Sequence, residues 1–211
     1  MRHRIHVLCV LSLILLGSKT LASETVTIAV TEQNFAHAET ARNFRNWASK
    51  GATKEFVKMP GLPPRGKAAP TVQMNDDTLY GVAIVERVEG NVTFSIPETD
   101  NYMAVQVVTE GGHGQHYVVD DGTYDLPVET DFAMLIYRSG TEKGIDHAKT
   151  SLAKVNVQDI DFATSYQIQP YDYDEVEEWV KRYTEKVNSM ESFTYTFPRT
   201  SDQVTDLHQW N

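Results

Sequence analysis

From Thr71 to Arg138 the apolar residues recur with a period of two, and no other feature constrains the fold of this 211-residue chain as much. Val82 and Ile84, Val92, Phe94 and Ile96, Met103, Val105 and Val107, Tyr117 and Val119, then Met134 and Ile136 alternate with other residues. That is the pattern of strands with one face in a core. Turn signals break the runs at Glu89-Gly90-Asn91, Pro97 to Asn101, Gly111 to Gly114, Asp120 to Gly122 and Arg138 to Gly140. Short strands at spacings of roughly 8–12 residues predict an α+β, mainly β fold, an antiparallel β-sandwich or jelly roll.

Helices are expected to flank the strands. Phe35, Ala38, Ala41, Phe44, Trp47 and Ala48 recur at steps of three and four between Asn34 and Ala48, and Gly51 ends the pattern. Residues 59–70 hold four prolines and two glycines, which predicts a loop. The clearest helix spans 172–190. Val176, Trp179, Val180, Tyr183, Val187 and Met190 form its apolar face, and Asp172 with Glu175 has capping-box spacing. That Trp179 face is expected to pack on the sheet.

The first 22 residues read as a secretory signal peptide. Arg2 and Arg4 precede an apolar run from Ile5 to Leu16, and Thr20-Leu21-Ala22 offers small residues at the −3 and −1 positions of a cleavage site. The run is shorter than the roughly 20 residues that span a bilayer. A periplasmic or secreted location follows, with no transmembrane anchor after cleavage and one domain over 23–211. The single cysteine, Cys9, leaves with the signal, so no disulfide, thiolate site or cysteine nucleophile is expected. Loss of Arg2, Arg4 and Lys19 leaves 16 basic against 29 acidic residues, a formal net of −13. Such a balance argues against nucleic acid as a partner and leaves a small molecule or a protein.

The motifs narrow the chemistry. Gly61 to Lys67 has phosphate-loop spacing, but Pro63 and Pro64 remove cradle N–H groups and Ala68 stands where magnesium needs a hydroxyl. No Gly-x-Ser-x-Gly elbow or His-Glu-x-x-His is present. Asp120 to Asp125 lacks the ligand alternation of a calcium loop and reads as a hairpin turn. Glu110, His113 and His116 form the best cluster. Imidazole and carboxylate suit zinc, iron or manganese, and histidine serves as a general base near neutral pH. On a strand the odd separation of the two histidines would send them to opposite faces, whereas Gly111, Gly112 and Gly114 would let a loop join them. Asp120, Asp121 and His147 could add ligands. A polar surface loop is the leading reading, and a metal or acid/base site the rival.

Met74-Asn75-Asp76-Asp77-Thr78-Leu79-Tyr80 places two acids and an amide before a strand. Asn75 and Asp77 are expected to hold the turn through side-chain bonds to backbone N–H groups, with Tyr80 packed on the sheet. The run resembles the Asn-x-Asp-Thr-Leu-Tyr signature of the bacterial family called domain of unknown function 1254. Similarity extends over roughly 30–160, through the helix from Asn34 to Phe44, Val92 to Pro97, Tyr102 to Val108, Gly122-Thr123-Tyr124 and the strand ending at Arg138. The resemblance implies a β-rich, jelly-roll-like domain and makes Asn75, Asp77, Thr78 and Tyr80 the signature residues. His37 and Ala41 stand where relatives usually have arginine and aspartate, and Asp76 often where they have arginine, so a polar network there would be altered in this member.

The expectation is therefore an exported β-rich module that binds a small ligand or a protein. The alternatives are a metal-assisted or acid/base hydrolase using Glu110, His113 and His116, with a divalent metal as candidate cofactor, and a structural envelope component.

Overall fold

A computed structural model describes residues 26–64, 74–112 and 114–189. The expected signal peptide, the end of the proline-rich loop, His113 and Met190 lie outside the described residues. In chain order the elements are α1 (Phe35–Ala48), β1 (Val57–Lys58), β2 (Thr78–Glu86), β3 (Asn91–Ile96), β4 (Met103–Thr109), β5 (Gly114–Val118), β6 (Gly122–Pro127), β7 (Phe132–Gly140), α2 (Ile145–Ala153) and α3 (Tyr173–Asn188). The strands form a five-stranded antiparallel sheet in the order β1-β2-β7-β4-β5 and a two-stranded ribbon of β3 and β6. With three helices among the described residues, this is an α+β fold, mainly antiparallel β, as the period of two predicts.

Strand parity sorts the core into two layers. Leu79, Ala83 and Val85 of β2 join Leu135 and Tyr137 of β7, the ribbon's Val92, Phe94 and Ile96, and Ala148 and Leu152 of α2. Val82, Ile84 and Met134 occupy the other face and meet Phe44 and Trp47 of α1. Strand β2 is thus buried on both faces, which explains its near-continuous apolar sequence. Gly81 permits one tight contact: a Cβ there would lie 2.2 Å from the Phe56 ring. Phe56 in turn packs edge-on to Tyr137, with centroids 5.1 Å apart.

Four expectations need correction. Arg138 to Gly140 is strand, not turn, and pairs with Tyr80 to Thr78. Two of its polar groups are bonded in place: the Asn101 amide donates to Ser139 Oγ and the Gly140 carbonyl, each at 2.8 Å. Residues 120–122 do not close a hairpin, because β5 pairs with β4 while β6 pairs with β3. They carry the chain between the sheets, helped by Gly122 at φ 143° and a 2.8 Å bond from the Tyr124 hydroxyl to the Asp120 carbonyl. Tyr117 and Val119 are exposed rather than half-buried, since β5 is an edge strand. Finally, α3 packs beside α1 rather than on the sheet. Val176 lies with Val30 and Ala38, with Phe35 and Trp179 packed against them, and the Trp179 indole donates to the Val30 carbonyl at 3.1 Å.

The start of α3 explains that docking. Asp172 Oδ1 accepts from the N–H groups of Asp174 and Glu175, so the predicted N-cap forms. Glu175 does not complete the box but accepts from the Val30 N–H. The helix is thereby tied to the segment before α1.

Candidate functional site

After β4 the chain turns sharply from Thr109, whose carbonyl accepts the Gly112 N–H at 3.0 Å. Gly112 has φ 85°, and a Cβ there would come within 2.8 Å of Thr40 Oγ1 on α1. Only glycine fits both conditions comfortably. The turn therefore lies against α1 and carries Glu110 to it. The Glu110 N–H donates to Thr130 Oγ1 at 3.3 Å, which steadies the turn from the β6–β7 side.

Glu110 lines a cavity of about 120 Å³ with His37, Ala41 and Phe44 of α1 and with Tyr166, Gln169 and Tyr171 of the segment leading to α3. His37, Ala41 and Phe44 share one face of α1 at four- and three-residue steps. The segment is fixed by backbone bonds from Ala163 N–H to the Ile84 carbonyl (3.0 Å) and from Ile28 N–H to the Pro170 carbonyl (2.7 Å). The Tyr166 ring packs 5.7 Å from Phe44 and edge-on, at 5.3 Å, to Phe132.

The cavity's electrostatics are set by one acid with no lysine or arginine beside it among the described residues. Burial pushes the Glu110 carboxyl above the usual range; the Gln169 amide works against this and the charge of Asp131 adds to it. Burial, then the Glu110 charge, pushes the Tyr166 phenol up as well. Glu110 Oε1 and the Tyr166 hydroxyl are buried with no hydrogen-bond partner among the described residues. No lysine or arginine lines the cavity among the described residues.

The fold does not gather the sequence candidates into one site. His116 pairs with Val107, and its Nε2 bonds the Pro127 carbonyl at 2.6 Å on the ribbon side of the sheet. Glu110 sits on the α1 side, and His113 lies outside the described residues. His147 bonds Asp100 at 2.8 Å on α2, which packs on the ribbon side of the sheet. No group of three or more His, Cys, Asp or Glu residues is placed to hold a metal ion among the described residues.

The signature residues have a different job. Tyr80 is buried and accepts the Asn75 N–H at 2.8 Å. The Asp77 side chain is exposed; it is the Asp77 carbonyl that accepts from Thr141, from N–H at 3.2 Å and from Oγ1 at 2.6 Å. Thr78 is buried opposite Gly140. The Arg138 guanidinium lies 5.8 Å from the Tyr80 ring and 5.9 Å from that of Tyr117, and donates to Gln106 Oε1 at 2.7 Å. Backbone bonds and ring contacts thus replace the expected side-chain caps. His37, Tyr166 and Gln169 were missed as site residues. The signals for His37 were its place on the face of Ala41 and Phe44 and its departure from the resembled pattern, and the other two lie in a segment without periodicity.

No family model matches the chain, and no curated protein matches it. Among solved structures it is similar to the crystal structure of the VPA0106 protein from Vibrio parahaemolyticus, at 11% identity and a TM-score of 0.44. The match covers 84% of this chain and 55% of that one, so the chain spans about half the length of that neighbour.

Proposed function

We propose that the protein is an exported small-ligand-binding module whose ligand occupies the Glu110 cavity. One observation carries the reading: Glu110 Oε1 and the Tyr166 hydroxyl are buried and have no partner among the described residues, and both residues line the same cavity. An unsatisfied buried polar atom costs roughly 1–3 kcal/mol, so two in one place are groups for a polar ligand to pair. A dry cavity of about 150 Å³ admits benzene. The slightly smaller volume here suits a ligand of at most about six heavy atoms by the same comparison. In the wider reading a signal peptide over 1–22 exports the chain, residues 23–211 form one domain of the 1254 kind, and the ribbon and sheet pair as a small β-sandwich related to the jelly roll.

A panel of small polar fragments screened by ligand-observed NMR tests the cavity. Ala41 lines it and is nearly buried, so Ala41→Leu should fill it and abolish the fragment signals seen with the parent protein. Fragments that bind the variant as well as the parent would place binding elsewhere.

The hydrolase alternative has one supporting observation of its own. A carboxyl pushed up beside a histidine in a cavity is an acid/base arrangement. That reading takes Glu110 with His37 in place of His116, which bonds the Pro127 carbonyl. Turnover of small esters or amides that Glu110→Gln stops would favour it over simple binding.

A further inference from the structure

The cavity also carries information about the charge of what it binds. Its single acid has no lysine or arginine beside it among the described lining residues, and Asp131 adds charge of the same sign. An anion would meet the like charges of Glu110 and Asp131, and a neutral ligand would leave the carboxylate without a counter-charge in a partly buried place. A cation removes both difficulties. Three aromatic side chains, Phe44, Tyr166 and Tyr171, share the cavity with Glu110, and aromatic rings attract cations through their quadrupole.

The hydrogen-bonding groups narrow the cation further. Glu110 Oε1 and the Tyr166 hydroxyl oxygen can each accept from a ligand N–H. An –NH3+ group has three donors. A quaternary ammonium has none and would leave the two buried oxygens as they are. A metal ion would need more His, Asp or Glu ligands than the described residues bring together. Ala41 and Phe44 offer an apolar wall to a short hydrocarbon tail, and the cavity volume limits that tail to a few carbons.

We propose, resting on the ligand-binding reading of the same cavity, that its ligand is a small primary alkylammonium ion held by Glu110 and Tyr166 within a partly aromatic wall. The Glu110 carboxylate takes the charge-assisted bond, the Tyr166 hydroxyl accepts a second, and the tail lies along α1. The acidity of the whole chain, a formal net of −10, favours the approach of such an ion.

Calorimetric titration with three near-isosteric probes, propylammonium, propanol and propionate, tests the assignment on the intact protein. Propylammonium should bind at least about tenfold more tightly than either of the others, the factor for a charge-assisted over a neutral contact. Glu110→Gln should weaken propylammonium at least about tenfold. Tyr166→Phe, which keeps the ring contacts, should weaken it severalfold and guards against a folding defect in the first variant. If propanol or propionate binds as tightly as propylammonium, and Ala41→Leu abolishes that binding, the charge assignment falls while the cavity remains a binding site. Propylammonium binding unaffected by Glu110→Gln would overturn it equally. If no probe or fragment binding responds to Ala41→Leu, the ligand-binding reading itself falls.

Discussion

Glu110, a candidate in the sequence, lines a cavity with residues other than those the sequence put beside it. Its acid in a glycine-flanked loop was legible as a candidate, because such a loop can approach other groups closely. Its partners were not, since Tyr166 and Gln169 are more than fifty positions away and reach it only through the return of the chain over α1. Tyr166→Phe removes a buried hydroxyl that has no partner among the described residues and keeps the packing on Phe44 and Phe132. We expect it to raise stability by about 1 kcal/mol, the lower end of an unsatisfied group's cost, in urea melts of the ligand-free protein. A loss of that size would mean that the hydroxyl has a structural partner. Asp77→Ala gives a contrasting case. The tie to Thr141 uses the Asp77 carbonyl, so the substitution should change stability by no more than about 0.5 kcal/mol. A loss of 1–2 kcal/mol would restore the side-chain cap that the sequence suggested.

Among elements, α1, α3 and most strands were legible because a strong period survives single-sequence reading. Helix α2 was not. It begins after Gly144 and buries only Ala148, Ser151 and Leu152, too sparse a stripe to stand out between polar residues. The partner of α3 was also hidden: an amphipathic face says that something covers it, not what. Trp179 is only half-buried, against Phe35 and the segment around Val30. Trp179→Ala should therefore cost about 1–3 kcal/mol, below the roughly 3–5 kcal/mol of a fully buried ring. Hydrogen exchange should show lost protection within 173–188 while the β2 and β7 amides keep theirs. Equal loss throughout would mean that α3 is integral to the main core. On β2, Gly81→Val should destabilise by about 1–3 kcal/mol through overpacking, since even a methyl group would overlap Phe56. A thermal melt that matches the parent would show that the ring moves aside without penalty.

For the whole molecule, the layered arrangement places α1 over one sheet face and leaves the site where α1, the β4 turn and the lead into α3 converge. The pH response should report this. A carboxyl raised in the folded state contributes stability below its unfolded value, and that contribution is lost as pH rises through the folded value. Burial raises Glu110, so the melting temperature of Glu110→Gln should gain on that of the parent between about pH 4 and pH 7, bracketing the ordinary glutamate value. A gap that stays constant or narrows would contradict the assignment. Ammonium affinity should rise over the same window, as the carboxylate forms. The groups facing Glu110 are His37 from α1, Gln169, Tyr166 and Tyr171 from the lead into α3, and Asp131 beside β7. The profile should be repeated in His37→Gln, where the Glu110 step should persist.

The most direct measurement is a site-resolved 13C titration of the Glu110 carboxyl, without and with propylammonium. The free protein should titrate above the usual glutamate value of about 4.3, and saturating propylammonium should bring the midpoint down, because the bound cation favours the charged form. A midpoint at the ordinary value that the amine does not move would contradict a buried acid waiting for a cation.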